Sequence, residues 1–301
     1  MGHHHHHHDH SHQPSLNKAF AIGVGLNLVY VGIETGYGLW ANSMALLADA
    51  GHNFSDVLSL VLAWAAALMA QKSATFRHTY GFRRGTVLAA LASSLLLLGA
   101  IGIIAWEAVH RMFSPAPIPG TVVMVVAAIG VIINTATALL FVKDQHNDLN
   151  VRGAFLHMAA DAAVSLGVVL AGVGIYYTGW YWLDPAMSLV IVAVIFWGTW
   201  SLFRESLNLS LDAVPSHVDI SAVNEYLQSV DGVTDVHDLH IWALSTQDVA
   251  LTAHLVVDPE HTFEKQWLAQ INQTLAEQYG IGHATLQVET PEHECLLTES
   301  C

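Results

Sequence analysis

The chain has 301 residues, of which 53% are hydrophobic and only 12% charged, with a formal net charge of −15. That balance excludes nucleic acid as a partner and fits a polytopic membrane protein rather than a soluble globule. Its two cysteines, Cys295 and Cys301, both sit at the extreme C-terminus, which excludes a disulfide framework for the body of the protein.

Residues 1–15 open with Met1-Gly2, six consecutive histidines, then Asp9-His10-Ser11-His12. Two readings stand side by side: a purification tag, or a native histidine-rich cytosolic tail. The stretch has no apolar run of the kind a secretory signal needs.

Residues 16–207 carry six apolar stretches: Leu16–Leu39, Ser43–Ala70, Gly85–Met112, Thr121–Val142, Arg152–Tyr177 and Leu183–Phe203. Each reaches the ~20 residues needed to cross a bilayer core. They are expected as helices, because an open strand leaves its backbone unsatisfied in lipid. Breaks fall at Ala41-Asn42-Ser43, at the proline-rich 114–120 segment, and at Thr178-Gly179-Trp180-Tyr181-Trp182. The last has the aromatic character of a membrane–water interface. Lys18, Lys72, Arg77, Arg83, Arg84, Lys143, Arg152 and Arg204 cluster at the termini and even-numbered loops, while the odd-numbered loops carry only Arg111, at the edge of the third. The positive-inside rule places both termini in the cytoplasm.

Residues 208–290 read as a small cytoplasmic α+β domain. Val218–Val230 and Glu260–Tyr279 read as helices; Val236–Leu244, Val249–Val257 and Thr285–Glu289 read as strands. The order α-β-β-α-β is the ferredoxin-like, split-βαβ pattern with its first strand missing or very short. Residues 291–301 form a tail.

Two pairs inside the apolar stretches carry the chemistry. His52-Asn53-Phe54-Ser55-Asp56 and His157-Met158-Ala159-Ala160-Asp161 both read His-x-x-x-Asp. Four-residue spacing puts both members on one helix face. Facing each other, the pairs would form an N2O2 site suited to a tetrahedral divalent metal. A packing role is a poor alternative, since each aspartate at a helix centre costs ~2.5–3.5 kcal/mol to insert. With opposite span directions, Asp56 lies ~20 Å from the outer edge and Asp161 ~14 Å from the inner edge, at 1.5 Å per residue. Those depths match across a core of ~30 Å. Asp49, on a nearby face of the second stretch, could orient the ligands or sit at the mouth of the site. Glu34, Asn27 and Asn134 could line a cavity or bond between helices.

At Leu46–Asp56 and Gly153–Asp161 the chain resembles the second-span and fifth-span motifs of the cation diffusion facilitator family. His237-Asp238-Leu239-His240-Ile241-Trp242 resembles the cytoplasmic-domain motif of its zinc-transporter subgroup. The resemblance runs from Leu16 to Glu289. It implies a homodimer of six-span protomers that exports zinc or related divalent ions from the cytosol by proton antiport. It also implies zinc as substrate and as a structural or regulatory ion, with no organic cofactor. In the cytoplasmic domain it points to His237, His254, His283 and Glu289 as ligands. His240 and Cys295 are further candidates. His237 and His240 are three apart, so an ideal strand would point them to opposite faces. Some family members bind a second metal between spans two and three. Here His78 stands among arginines without further ligands, and His110 reads as structural.

A broad cobalt, cadmium, zinc and iron exporter is the alternative within this class. An intramembrane hydrolase would need an open metal position and a general base, and no His-Glu-x-x-His motif is present. A bacterial inner membrane is the expected location, with an intracellular vesicle membrane as the alternative.

Overall fold

The computed structural model describes residues 14–142, 149–260 and 266–290. The histidine-rich tail, Cys295 and Cys301 fall outside these residues. Six long helices come first: α1 Pro14–Ala41, α2 Met44–Ala70, α3 Gly85–Phe113, α4 Gly120–Phe141, α5 Leu149–Thr178 and α6 Leu183–Ser210. An α+β segment follows: α7 Ile220–Ser229, β1 Val233–Ala243, β2 Val249–Val257, α8 Trp267–Tyr279 and β3 His283–Glu289. Among the described residues, α2 to α6 are each long and apolar enough to cross a membrane. α1 spans 28 residues, about 42 Å at 1.5 Å per residue.

The chain divides into two compact units, residues 1–58 with 97–197 and residues 59–96 with 198–301. In the first unit, Leu46 on α2, Ile101 on α3, Val123 on α4, Val168 on α5 and Ile191 on α6 are buried together. Helices α4 and α5 approach backbone to backbone. A Cβ added at Gly120 would lie 2.9 Å from the Gly172 carbonyl oxygen, and one at Gly172 only 2.8 Å from Met124 N. Small residues allow this approach, which is how helices gain dispersion energy when lipid already solvates their apolar surface.

The turn from α1 to α2 is short because Asn42 adopts φ 55°, a left-handed conformation that asparagine tolerates. The start of α2 is then capped from another helix. Asp184, in the first turn of α6, accepts from Met44 N at 2.6 Å and Ala45 N at 3.4 Å, and also from the Ser43 hydroxyl. A carboxylate at a helix N-terminus satisfies orphan N–H groups and meets the positive end of the dipole. Asp184 is 2% exposed, and this capping is what makes its burial tolerable.

In the second unit a three-stranded sheet runs in the order β1-β2-β3. β1 and β2 pair antiparallel, whereas β2 and β3 pair parallel. In a split βαβ, another strand lies between the two parallel ones. That strand is absent among the described residues, and β2 and β3 bond directly, since an open gap would leave two rows of backbone groups unpaired. Odd-numbered β2 residues, Leu251, Ala253 and Leu255, join Val223 and Leu227 of α7 and Ile271 and Leu275 of α8 in the core. The even-numbered residues, His254 among them, occupy the opposite face. Asp219 caps α7 by accepting from Ser221 N and Ala222 N, and Gly280 closes α8 at φ 70°.

Asp184→Ala leaves two backbone donors of α2 and the Ser43 hydroxyl without their acceptor. It is expected to destabilise the protein by about 2–3 kcal/mol, while Asp184→Asn, which keeps an acceptor oxygen, costs less. Thermal unfolding of the detergent-solubilised protein measures both.

Candidate functional site

The two His-x-x-x-Asp pairs meet. His52 Nε2 lies 3.2 Å from Asp161 Oδ1, and His157 Nε2 lies 3.1 Å from Asp56 Oδ2. Within each helix the separations are longer, 3.8 Å for His52–Asp56 and 3.6 Å for His157–Asp161. Each histidine therefore reaches across to the other helix's aspartate. This crossing is what antiparallel helices impose, because the earlier residue of one faces the later residue of the other. The arrangement alternates nitrogen and oxygen with edges of 3.1–3.8 Å. A tetrahedron with metal–ligand bonds of ~2.0–2.1 Å has edges of about 3.3 Å, and the four nitrogen–oxygen edges bracket that length. Ligand atoms of His52, Asp56 and Asp161 all fall within 4.8 Å of one another. His157 joins through its contacts to both aspartates, its ring 6.1 Å from that of His52 and nearly perpendicular.

Exposure grades along the site. The side chain of Asp161 is 2% exposed and that of His52 17%, against 31% for Asp56 and 43% for His157. Asp56 Oδ2 and Asp161 Oδ2 both face His157 Nε2, at 3.1 and 3.6 Å. Asp49 does not stand among these four. It is fully buried one turn before His52 and accepts from Ser165 Oγ of α5 at 2.9 Å. Glu34 is also fully buried, with Tyr30 Oη donating to it at 2.7 Å. Asn27 Nδ2 reaches Met158 Sδ at 4.0 Å, and Asn134 is fully buried.

The cytoplasmic candidates separate. His237, His254 and Glu289 form a second cluster with ligand atoms within 4.8 Å. His254 Nδ1 is 3.0 Å from Glu289 Oε1, and His237 Nε2 is 3.4 Å from Glu289 Oε2. The expectation that His237 and His240 point to opposite faces does not hold. Asp238 takes φ 51° and the register slips there, so His237 pairs with His254 and His240 with Thr252. The bulge absorbs one residue and turns an odd spacing into an even one. Asp238 then bridges, 3.0 Å from His240 Nε2 and 3.6 Å from His254 Nε2. His283 pairs opposite Ala250, while His254 pairs with Gln287. Four residues of strand, about 13 Å, hold it away from the cluster, and its ring lies 5.4 Å from Tyr80. His78 lies tilted against Phe82, and His110 meets Trp106 edge to face. Arg83 lies 3.5 Å from Asp248, and Arg84 pairs with Asp212.

Sequence reasoning missed Asp238, Asp184, Tyr30 and Ser165. An aspartate between two histidines at odd spacing was a signal for the bulge. Nothing local marked the other three.

Residues 20–209 match the cation efflux transmembrane domain, and residues 215–291 match the cation efflux protein cytoplasmic domain. The chain belongs to the cation efflux family. It is 36% identical to the metal cation efflux system protein CzcD of Cupriavidus metallidurans, over 90% of this chain and 86% of that one. It is 34% identical to the cadmium, cobalt and zinc/H(+)-K(+) antiporter of Bacillus subtilis, over 88% of this chain and 86% of that one. The zinc transporter ZitB of Escherichia coli is also 34% identical, over 93% of this chain and 90% of that one. This cation efflux protein is thus an integral membrane transporter rather than an enzyme.

Both clusters can take a divalent ion only with imidazoles neutral and carboxylates ionised, so binding displaces protons. Zinc affinity of the purified protein is expected to fall as pH drops below the histidine range, by up to about tenfold per pH unit for each proton displaced. Titration calorimetry in buffers of different ionisation enthalpy measures the protons released.

Proposed function

We propose that this cation efflux protein exports zinc from the cytosol in exchange for protons, with His52, Asp56, His157 and Asp161 holding the ion. The crossed arrangement of the two His-Asp pairs carries this reading. Two neutral imidazoles and two carboxylates give a borderline-soft donor set that zinc favours, and a net charge that offsets the dication. Two relatives, a cadmium, cobalt and zinc/H(+)-K(+) antiporter and a zinc transporter, support zinc as substrate and protons as counter-ion.

Six spans with both termini cytoplasmic, as the lysine and arginine distribution implies, would run α2 inward and α5 outward. His157 and Asp56 then lie nearer the cytoplasmic ends of their helices and Asp161 and His52 nearer the outer ends. The more exposed pair is thus the cytoplasmic one, as a carrier waiting to load from the cytosol requires. Loading expels protons from the histidines. Rocking of the helices around a fixed site would open it to the outside, where protons replace the ion.

The cytoplasmic domain, residues 208–290, would hold a regulatory zinc ion at His237, His254 and Glu289. Its fit rests on the shared Glu289 carboxylate between two imidazoles. Such an ion would stiffen the sheet face it occupies and favour a homodimer. A bacterial inner membrane is the proposed location. Competition between zinc, cobalt, cadmium and iron in transport assays separates a zinc-preferring carrier from a broad exporter.

His157→Ala and Asp56→Ala each remove one of four ligands from the membrane site. Zinc flux into proteoliposomes under a pH gradient is expected to drop to the protein-free leak for both, with the thermal unfolding midpoint retained. Wild-type flux from either variant would refute the assignment.

A further inference from the structure

The metal ligands leave unused a second set of buried acidic groups in the same unit. Glu34 on α1 and Asp49 on α2 are both 0% exposed. One oxygen of each is satisfied: Tyr30 Oη donates to Glu34 Oε1 at 2.7 Å, and Ser165 Oγ donates to Asp49 Oδ2 at 2.9 Å. The remaining oxygens, Glu34 Oε2 and Asp49 Oδ1, meet no donor among the described residues. Their donors are neighbours: a Cβ added at Gly130 would overlap Tyr30 Oη and lie 3.1 Å from Ser165 Oγ, so the two carboxyl groups hang from adjacent hydroxyls. Two buried carboxyl groups held this way, without a cation bonded to either among the described residues, disfavour double ionisation, and one proton relieves the pair.

The surroundings make that proton specific to the pair. From α1, Tyr30 faces it; from α2, Asn53 adjoins Glu34, and His52 and Asp49 share one helix face. From α5 come Ser165 and, at longer range, Asp161. α4 contributes no titratable side chain. Its Val126 carbonyl lies 3.4 Å from Tyr30 Oη, and a Cβ at Gly130 would overlap the tyrosine ring. No cation and no imidazole bonds to either carboxyl among the described residues, so a proton is the positive charge available to them.

Position supplies the coupling. Asp49 stands one turn before His52 on α2, and Ser165 one turn after Asp161 on α5. Since the helices are antiparallel, both displacements point the same way, away from the exposed His157 end. The pair therefore lies about one helical pitch, ~5 Å, beyond the metal ligands. A dication held there favours two ionised carboxylates, and its departure favours one shared proton.

We propose that Glu34 and Asp49 form a proton-carrying pair, distinct from the metal ligands, that releases a proton as the ion binds and regains one as it leaves. This inference rests on the zinc–proton exchange reading. On loading, an O–H bond of the pair breaks and its proton leaves to the cytoplasmic side. On unloading, a proton from the outer side re-forms it. No electron transfer is involved, and the pair contributes one proton inward per ion outward.

Glu34→Gln tests this in the full-length protein, because the amide keeps an oxygen to accept from Tyr30 but has no proton to release at neutral pH. The variant is expected to bind zinc with less than the ~10-fold loss typical of groups bonded directly to metal ligands. It is expected to release about one proton fewer per zinc bound than the wild type. Its flux driven by a pH gradient is expected to fall by about tenfold or more. Asp49→Asn carries the same expectations and serves if Glu34→Gln does not purify as a monodisperse protein. A proton count and flux equal to wild type would overturn the proposal and leave Glu34 as a partner of Tyr30 only. A wild type that carries zinc without moving protons would overturn the exchange reading itself, whatever the variants do.

Discussion

A carboxylate in a low-dielectric interior is stable only with a partner, and the membrane-spanning part of this protein is organised around that constraint. Asp161, Asp184, Asp49 and Glu34 are all at least nine-tenths buried, and each meets the cost differently. Asp161 faces two imidazoles, one from its own helix and one from α2. Asp184 takes the N-terminus of α2 and the Ser43 hydroxyl. Asp49 leans on Ser165, and Glu34 on Tyr30. These partners come from different helices, so the charges themselves fix which helices lie together. Lipid supplies little hydrophobic force for that task.

The same constraint turns a binding site into a carrier. A site whose charges are always paired by protein groups holds an ion too well to let it go. Here the aspartates are shared with histidines, side chains able to bind either a proton or a metal ion. In the proposed site, protons and the divalent ion would compete for the same oxygens and nitrogens, so one species leaving would make room for the other. Family membership establishes cation efflux, and the donor chemistry gives a physical reason for coupling it to protons.

The cytoplasmic domain solves a simpler problem in water. Parity along β2 divides it: odd residues face the helices, and even residues carry His254 on the other face. The bulge at Asp238 keeps His237 in register with His254 and sets the aspartate's carboxylate between His254 and His240. Glu289 completes the triad from β3 because that strand pairs directly with β2. An ordinary split βαβ would have placed another strand between them.

The spacing of His52–Asp56 and His157–Asp161, the span lengths and the loop charges were determined by sequence alone. They depend on helix periodicity and bilayer thickness, which are local or generic. For the same reason the α-β-β-α-β order was legible, while helix ends shifted by a few residues, as with α6 continuing past Phe203 to Ser210. Tertiary structure alone decided that each histidine reaches the opposite aspartate, that Asp184 caps a helix 140 residues away, that Ser165 finds Asp49, and that His283 stays apart from its expected partners. Those outcomes depend on which side chains meet across helices and on one left-handed residue in a strand. Periodicity fixes the face on which a side chain stands, but only packing fixes what it faces.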